Sequence, residues 1–327
     1  MASAVIGGCS SNPLDLAPPT IEPARPAASP PTGTAPAGKV LPMTGRPRAS
    51  ITDGSTRSLV VLVAGPDTGS PAALVLVDGS DSSRTVTLPG PATAVTGDGR
   101  GTVYAATRGG IFTVDLAGDR VERTPISGAE GTDFTAIARR ADGRFVLGSA
   151  DGVAYTLAAD FTVAEKADIF ARVDAIATQG DYALVLDRAQ TSVTALNPDG
   201  SAGLALRAGL GATTMTADSA GRILVTDTRG GQLLVFGVDP LIERQAYPVG
   251  GSPYGVAGSG SLVWVSQTAN NTVVGYDLAT GIPVEKVRYP TVRQPDSLAF
   301  DDASGTLYVV SGSGSGVQVI PDAAGPR

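Results

Sequence analysis

Polar side chains that could bind a ligand occur in two sets along the sequence. In the first set the polar residue stands at the start of a short apolar segment, and its members are Arg48, Thr93, Asp174, Tyr254 and Asp296. The second set follows longer apolar runs, and its members are Arg108, Asp151, Asp187, Arg188, Asp227, Arg229, Gln267 and Asn270. Guanidinium and carboxylate groups bind peptides, sugars and carboxylated ligands through paired hydrogen bonds. The same residue types also bind neighbouring backbone at turns, and for any single residue this structural interpretation is the better supported.

The composition excludes several classes of chemistry. The 327 residues contain no His and a single Cys, Cys9. The protein therefore lacks the imidazole of Ser-His-Asp and Cys-His relays, and it lacks the ligands of a Cys-rich zinc site. With 24 Lys plus Arg against 31 Asp plus Glu, its formal net charge is -7. We expect no nucleic-acid partner, because no basic stripe is available for a phosphate backbone, and we expect no cofactor.

The segment around Cys9 resembles a bacterial lipid-attachment site. Aliphatic and small residues, Val5-Ile6-Gly7-Gly8, directly precede Cys9, as in a lipobox. Only eight residues come before Cys9, and a working signal peptide needs a basic start and an apolar stretch of roughly 7 to 15 residues. We therefore expect the true start to lie upstream. Residues 1–9 are then the remnant of a lipoprotein signal peptide, and Cys9 carries a lipid that anchors the protein at the extracytoplasmic (periplasmic) face of the cell membrane.

Residues 10–38 have the composition of a linker. They contain eight prolines among Ala, Ser and Thr, and such a segment cannot build a hydrophobic core of its own. We expect a disordered tether. Polyproline II geometry, at about 3.1 Å per residue, would let it reach about 80 Å from its anchor.

A four-part pattern repeats seven times after residue 39. Its first part closes on an apolar residue, and these residues are Ile51, Val95, Ile137, Ile176, Met215, Val256 and Leu298. Two apolar runs and a more polar stretch follow, as in residues 58–65, 72–78 and 242–250 of different copies. Four antiparallel strands repeated about every 41 residues are the signature of a β-propeller blade. The sequence predicts an all-β, seven-bladed propeller of four-stranded blades.

The seventh copy supplies an independent test of closure. It ends at Pro321 with three predicted strands and lacks its outer one. Residues 39–44 resemble residues 286–291, which form the outer stretch before the seventh copy. We expect residues 39–44 to supply the missing strand and remove the open sheet edge. The predicted ring spans residues 39–321, and residues 322–327 are expected to be a disordered tail.

The sixth copy carries a family resemblance. Residues 253–257, 262–267 and 271–281 resemble the YVTN repeat of bacterial surface and periplasmic propellers. From residues 8–14 through 281–290 to 297–312, the whole chain resembles mycobacterial lipoproteins of this type. The resemblance implies a lipid-anchored, exported propeller, and it implies no particular chemistry.

An enzymatic alternative stays open at this point. Six-bladed lactonases resemble this architecture and hold a divalent ion through Glu, Asn and Asp, a set that needs no His. A metal-dependent hydrolase or lactonase with an Asp-based site at the channel is therefore the alternative. Streptogramin lyase propellers resemble the fold as well, but the resemblance implies histidine chemistry. The acidic residues of this chain have no common spacing, and the starts of the predicted inner strands carry no Glu.

The favoured interpretation is a binding or scaffolding module without catalytic residues or a metal. Its partner is expected to be an envelope protein or a glycan. We predict that the two sets of polar residues named above lie together at the mouth of the central channel, because both kinds of turn meet at one face of a propeller.

Overall fold

Seven four-stranded antiparallel sheets form the protein. The computed structural model describes residues 19–78 and 82–325. The strands of the first half are β1 (Lys39–Leu41), β2 (Arg46–Asp53), β3 (Ser58–Ala64), β4 (Ala73–Val77), β5 (Ser83–Thr87), β6 (Ala94–Gly97), β7 (Thr102–Thr107), β8 (Gly110–Asp115), β9 (Arg120–Pro125), β10 (Phe134–Arg139), β11 (Phe145–Ser149), β12 (Val153–Leu157), β13 (Val163–Asp168) and β14 (Ala175–Gln179). Those of the second half are β15 (Tyr182–Asp187), β16 (Ser192–Leu196), β17 (Ala202–Arg207), β18 (Ala212–Ala217), β19 (Ile223–Asp227), β20 (Gln232–Val238), β21 (Leu241–Pro248), β22 (Pro253–Gly258), β23 (Val263–Gln267), β24 (Thr272–Asp277), β25 (Val284–Pro290), β26 (Pro295–Asp301), β27 (Thr306–Ser311) and β28 (Val317–Ile320).

Each blade is a meander of four consecutive strands, except the last. Blade 1 is β2-β3-β4-β5, and blades 2 to 6 follow in the same order along the chain. The second and third strands are continuous apolar runs, such as SLVVLVA in β3, because neighbouring blades cover both faces of them. The outer strands are mostly exposed and carry charges, as in β9 and β25. The four-part repeat therefore predicted the blade correctly.

The N-terminal strand closes the ring. Blade 7 has the order β1-β28-β27-β26, and β1 pairs with β28 so that Lys39 lies opposite Val319 and Leu41 opposite Val317. The predicted closure is confirmed. It covers the edge of β28 that would otherwise stay unpaired.

The hydrophobic core is divided among the contacts between blades. Seven clusters of buried side chains occur, one between each pair of neighbouring blades. Leu62 and Phe112 belong to the cluster between blades 1 and 2, and Leu59 and Val310 to the one between blades 1 and 7. Seven clusters for seven blades describe a closed circle, and the predicted seven-bladed propeller is confirmed.

Irregular pairing marks the start of most inner strands. The register shifts next to Arg48 in β2, Thr135 in β10, Thr213 in β18, Tyr254 in β22 and Asp296 in β26. A β-bulge re-aims a side chain and ends regular pairing. Because the inner strands surround the central channel, these bulges place one set of side chains at the same end of it.

The segment before β1 differs from the expected tether. Residues 19–38, here called the strap, lie on the ring, and Ala24 and Ser29 are buried against it. A detached linker over residues 10–38 is therefore wrong for residues 19–38. The ring supplies hydrogen-bond partners that the composition of the segment does not reveal. Cys9 and residues 10–18 lie outside the described residues.

The C-terminal residues after β28 also pack on the ring. Ala323 is fully buried, its backbone N–H donates to the Gly305 carbonyl at 2.9 Å, and its own carbonyl accepts from the Tyr289 hydroxyl. The expected disordered tail is therefore wrong for residues 322–325, because a small side chain and two hydrogen bonds fix it in place.

The described part of the chain contains no helix that is long and apolar enough to cross a membrane.

Candidate functional site

One residue from each inner strand, or from directly before it, lines the mouth of the central channel. These mouth residues are Arg48, Thr93, Thr135, Asp174, Thr213, Tyr254 and Asp296, and they border a cavity of about 600 Å³. The structure places the first set of polar residues, Arg48, Thr93, Asp174, Tyr254 and Asp296, around this cavity. Thr135 and Thr213 join them because all seven inner strands begin at the same end of the channel.

The three mouth threonines bind protein groups and hold the blades in register. Thr93 donates to the Phe134 carbonyl of the next blade at 2.6 Å, and Thr135 donates in the same way to the Val173 carbonyl. Thr213 is buried against the Thr228 hydroxyl of its own blade. These hydroxyl groups are used in hydrogen bonds within the ring. The mouth residues that remain to bind a ligand are Arg48, Asp174, Tyr254 and Asp296.

Burial shapes the ionisation of the two mouth carboxyl groups. It raises the pKa of Asp174, although the Arg188 backbone N–H at 2.8 Å and the charges of Arg188 and Arg172 favour the carboxylate. Burial also raises the pKa of Asp296, whose hydrogen bond from the Gln294 side-chain amide at 2.9 Å opposes this effect. A raised pKa means that the ionised form is stabilised less here than in water.

Tyr254 lies between these charges. Burial raises the pKa of its hydroxyl, the charges of Asp296 and Asp174 raise it further, and the Arg188 charge lowers it. The phenol therefore stays neutral and can donate a hydrogen bond. Arg48 lines the same cavity and is exposed. The mouth thus offers a cation, a phenol and two carboxyl groups around one cavity.

Three residues of the second predicted set are structural. Asp187 and Asp227 are fully buried at the ends of the second strands of blades 4 and 5. Asp187 accepts the backbone N–H groups of Ala171 and Gln190, and Asp227 accepts those of three residues, Leu210, Gly211 and Gly230. Gln267, at the same position in blade 6, accepts the Arg288 guanidinium at 2.8 Å. These residues bind groups of their own blade or of the connection that leads into it, and none of them lines the channel cavity.

The three arginines of that set have different partners. Arg188 donates to the Ala24 carbonyl, and Arg229 donates to the Glu22 carbonyl at 2.6 Å, so both bind the strap. Arg108 is 67% exposed and pairs with Asp133 at 3.2 Å at the equivalent turn of blade 2, outside the cavity. Arg108 therefore does not join the mouth as predicted, whereas the charge of Arg188 lowers the pKa of both Asp174 and Tyr254 without the residue lining the cavity.

The strap follows the mouth from blade 4 to blade 7. The Ile21 N–H donates to the Ala189 carbonyl of blade 4, and the Ala37 N–H donates to the Pro290 carbonyl of blade 6, next to the start of β1. Between them, Gln294 donates to the Ala27 carbonyl at 3.3 Å, accepts the Ser29 N–H at 3.0 Å, and binds Asp296. One side chain therefore connects the strap with a mouth carboxyl group. Composition gave no signal for this contact.

Carboxyl groups at the mouth do not form a metal centre of the expected kind. The described ranges, residues 19–78 and 82–325, contain no group of three or more Asp, Glu, His or Cys side chains that could hold a metal ion. Asp174 and Asp296 belong to blades 4 and 7, and Asp187 and Asp227 are occupied by backbone N–H groups. The described residues thus give the Asp-based hydrolase no ligand set.

A second cavity lies at the opposite face of the ring. It has a volume of about 1130 Å³ and is lined by turns after the inner strands, including Gly260, Asp302 and the C-terminal Gly325. Asp302 accepts the Gly260 N–H at 2.7 Å, and Phe300 stacks on the fully buried Trp264 with ring centroids 5.7 Å apart. Trp264 is therefore a core residue.

Comparisons with known proteins identify the architecture. No family model matches the chain, and no curated protein matches it. A solved streptogramin B lyase is 12% identical with a TM-score of 0.70, over 87% of this chain and 96% of that one. Virginiamycin B lyase from Staphylococcus aureus is 11% identical with a TM-score of 0.69, over 86% and 98%. The WD40 repeats of RRP9 are 13% identical with a TM-score of 0.71, over 88% and 99%. The chain shares their fold.

Proposed function

We propose that this propeller is a lipid-anchored, extracytoplasmic binding module that takes part of an envelope protein or a glycan at the channel mouth. The observation that carries the proposal is the set Arg48, Asp174, Tyr254 and Asp296 around one cavity of about 600 Å³. Groups whose charged form is poorly stabilised in the free protein are typical of sites that gain their partners from a ligand. The propeller fold supports this role, but folds host many functions, so the argument rests on the site.

The composition of the mouth favours binding over catalysis. A phenol, a guanidinium and two carboxyl groups can recognise both donor and acceptor groups of a polar ligand. A ligand with ammonium or hydroxyl donors next to an acidic group fits these partners, and amino sugars and peptide ends have this chemistry. The resemblance to the mycobacterial lipoprotein LppL and to YVTN propellers agrees with an envelope location, and it rests on sequence motifs alone.

The strap changes how the anchor would present the ring. With residues 19–38 bound to the mouth face, Cys9 lies ten positions before Pro19, and ten residues of chain span at most about 35 Å. The longer tether expected from the sequence reached about 80 Å. A lipid at Cys9 would therefore hold the mouth face close to the membrane, and the partner would be a molecule of that layer.

The test is capture from detergent-solubilised envelope with the lipidated protein as bait. We expect a stoichiometric ligand that is lost when Tyr254→Phe and Asp296→Asn are combined, since these changes remove a donor and a charge from the mouth. Asp160→Asn is the matched control, because Asp160 lies on an exposed turn away from the cavity. Capture of the same amount of ligand by the mouth variant and by the wild-type protein would overturn the proposed site.

The anchor has a separate test. Labelling of cells with an alkyne fatty acid should mark the wild-type protein and leave a Cys9→Ala variant unmarked. Equal labelling of both proteins, or of neither, would refute lipid attachment at Cys9.

A further inference from the structure

The strap is recognised through its backbone. Within it only Ala24 and Ser29 have buried side chains, and both side chains are small. Six side chains of the ring donate hydrogen bonds to strap carbonyls: Arg188, Arg229, Asn271, Arg293, Gln294 and Gln318. The strap N–H groups of Ile21, Ala27, Ser29 and Ala37 in turn donate to the ring. Six donors from blades 4 to 7 thus follow one extended segment. Such a surface recognises an extended backbone and a small side chain at two positions, and it makes few contacts with other side chains.

The chemistry of the strap matches these donors. Pro19, Pro23, Pro26, Pro30 and Pro31 have no backbone N–H, so they cannot complete a β-ladder, and their neighbours present carbonyls that need donors. Asn271 donates to the Pro30 carbonyl at 2.9 Å, and the Arg293 guanidinium donates to the Ser29 carbonyl at 3.1 Å. Ser29 fits closely, because its hydroxyl donates to the Thr268 carbonyl at 2.6 Å and accepts the Gln294 N–H. Proline-rich segments are suited to this role because they lose little conformational entropy on binding.

An exposed stretch divides the strap. Residues 31–35 are exposed, and Gly33 has no atom within 4 Å of the position of an added Cβ, whereas the contacts of Ser29 and Ala37 lie on either side of this stretch. Residues 19–30 therefore contact the ring as a separate unit, joined by an exposed hinge. A bound segment joined through a short exposed linker acts as an intramolecular ligand, at an effective concentration of about 1 mM.

We propose that the groove over blades 4 to 7 is a binding surface for an extended Pro/Ala-rich segment of another envelope polypeptide, with the strap as its resident competitor. This inference rests on the proposed function, because it names the class of partner for the mouth face. A partner segment enters the groove when the strap leaves it, and it forms the same carbonyl hydrogen bonds. Gln294 then couples the groove to Asp296 at the mouth. Departure of the strap also frees Arg188 beside Asp174 and Tyr254.

The experiment converts the strap into a separate ligand. A site for a specific protease is inserted between Thr32 and Gly33 of the full chain, and cleavage leaves the ring with its strap held by noncovalent contacts only. The probe is a fluorescent peptide of residues 19–31, and its binding is followed by anisotropy. We expect the peptide to bind the cleaved protein, to bind the uncleaved protein far more weakly, and to bind neither protein when its prolines are replaced by alanine.

The donors of the groove supply the variants. Arg229→Ala and Asn271→Asp each remove a donor to a strap carbonyl, and each should weaken binding of the peptide at least about tenfold. Arg108→Ala is the matched control, since Arg108 occupies the equivalent turn of blade 2 outside the groove. Trp264 fluorescence shows whether each variant is folded, because this side chain is fully buried.

The results separate this inference from the proposed function. No peptide binding to the folded, cleaved ring, binding that ignores the groove variants, or equal binding of the proline-free peptide would each overturn the inference. The single mouth variant Tyr254→Phe, which leaves Gln294 and Asp296 in place, should still bind the peptide. If the peptide binds as described and no envelope ligand is captured, the result supports the groove as a site for Pro-rich segments and refutes the proposed ligand at the mouth.

Discussion

Asp227 is expected to be the most sensitive acidic residue of the ring. Its carboxylate is fully buried and accepts backbone N–H groups of Leu210, Gly211 and Gly230 at 2.8, 2.8 and 2.9 Å. Hydrogen bonds to a charged group contribute about 1.5–3 kcal/mol each, and local relaxation recovers part of their sum. We expect Asp227→Ala to lower the free energy of unfolding by about 3–5 kcal/mol, which corresponds to a loss of roughly 10 °C in Tm for a protein of this size.

The Asn variant makes the argument specific. Asp227→Asn keeps an oxygen for Gly211 and Gly230, which share one carboxylate oxygen, but turns an NH2 group toward the Leu210 N–H. Its cost should be about 1–2 kcal/mol, clearly below that of Asp227→Ala. The absence of a side chain at Gly230 lets the Asp227 carboxylate approach its N–H, because an added Cβ there would lie 2.0 Å from the carboxylate.

Urea unfolding followed by Trp264 fluorescence and by circular dichroism measures both variants. Asp199→Ala is the control, since Asp199 accepts the Ser201 N–H in a similar turn that is exposed. It should leave the midpoint nearly unchanged. The reasoning is refuted if Asp227→Ala costs less than about 1 kcal/mol, or if Asp227→Asn costs as much as Asp227→Ala.

Three further predictions concern the mouth, the closure and the contact between blades. Burial raises the pKa of Asp296 in the folded protein above its value in the unfolded chain, so ionisation of this group lowers the stability of the fold as pH rises through the folded-state pKa. Asp296→Asn should therefore raise Tm at pH 7. Calorimetry should find that this gain in Tm vanishes below about pH 4. Gly38 has φ +69°, and an added Cβ would lie 2.2 Å from the Val319 carbonyl oxygen. Gly38→Ala should therefore detach β1 and lower Tm, and it should increase light scattering because the exposed edge of β28 promotes aggregation. Unchanged scattering and Tm would contradict the closure argument. Thr228 donates to the Pro253 carbonyl of blade 6 at 2.6 Å, so Thr228→Val should cost about 1–2 kcal/mol in urea unfolding, whereas an unchanged midpoint would show that the bond contributes nothing.

The fold was predictable because its signals are local and repeated. Seven apolar residues from Ile51 to Leu298 recur at a nearly constant spacing, and every copy has the same order of apolar and polar segments. Regular repeats force each blade to cover the next, since one blade cannot bury its own faces. The closing strand was predictable for the same reason, because the last copy lacked one element and residues 39–44 resembled it.

The site was predictable only in part. Asp174, Tyr254 and Asp296 were found because their position relative to the repeat fixes them at the channel mouth. Asp187 and Asp227 have the same residue type as Asp174, but they are buried under backbone N–H groups. Sequence gives the residue type and the turn, whereas the number of backbone donors around a carboxylate depends on the loop that folds over it.

By itself, the sequence determined the number of blades, the strand order within them and the position of the closing strand. These features follow from hydrophobic periodicity and turn spacing, which act over a few dozen residues. Only the tertiary structure decided what the strap does. Its partners lie as far as 281 positions away, as for Gln318 and Ala37, and the sequence does not distinguish them from other polar residues of the strands and turns. A proline-rich segment has free carbonyls in any context, and whether donors meet them depends on which blades the closed ring brings alongside.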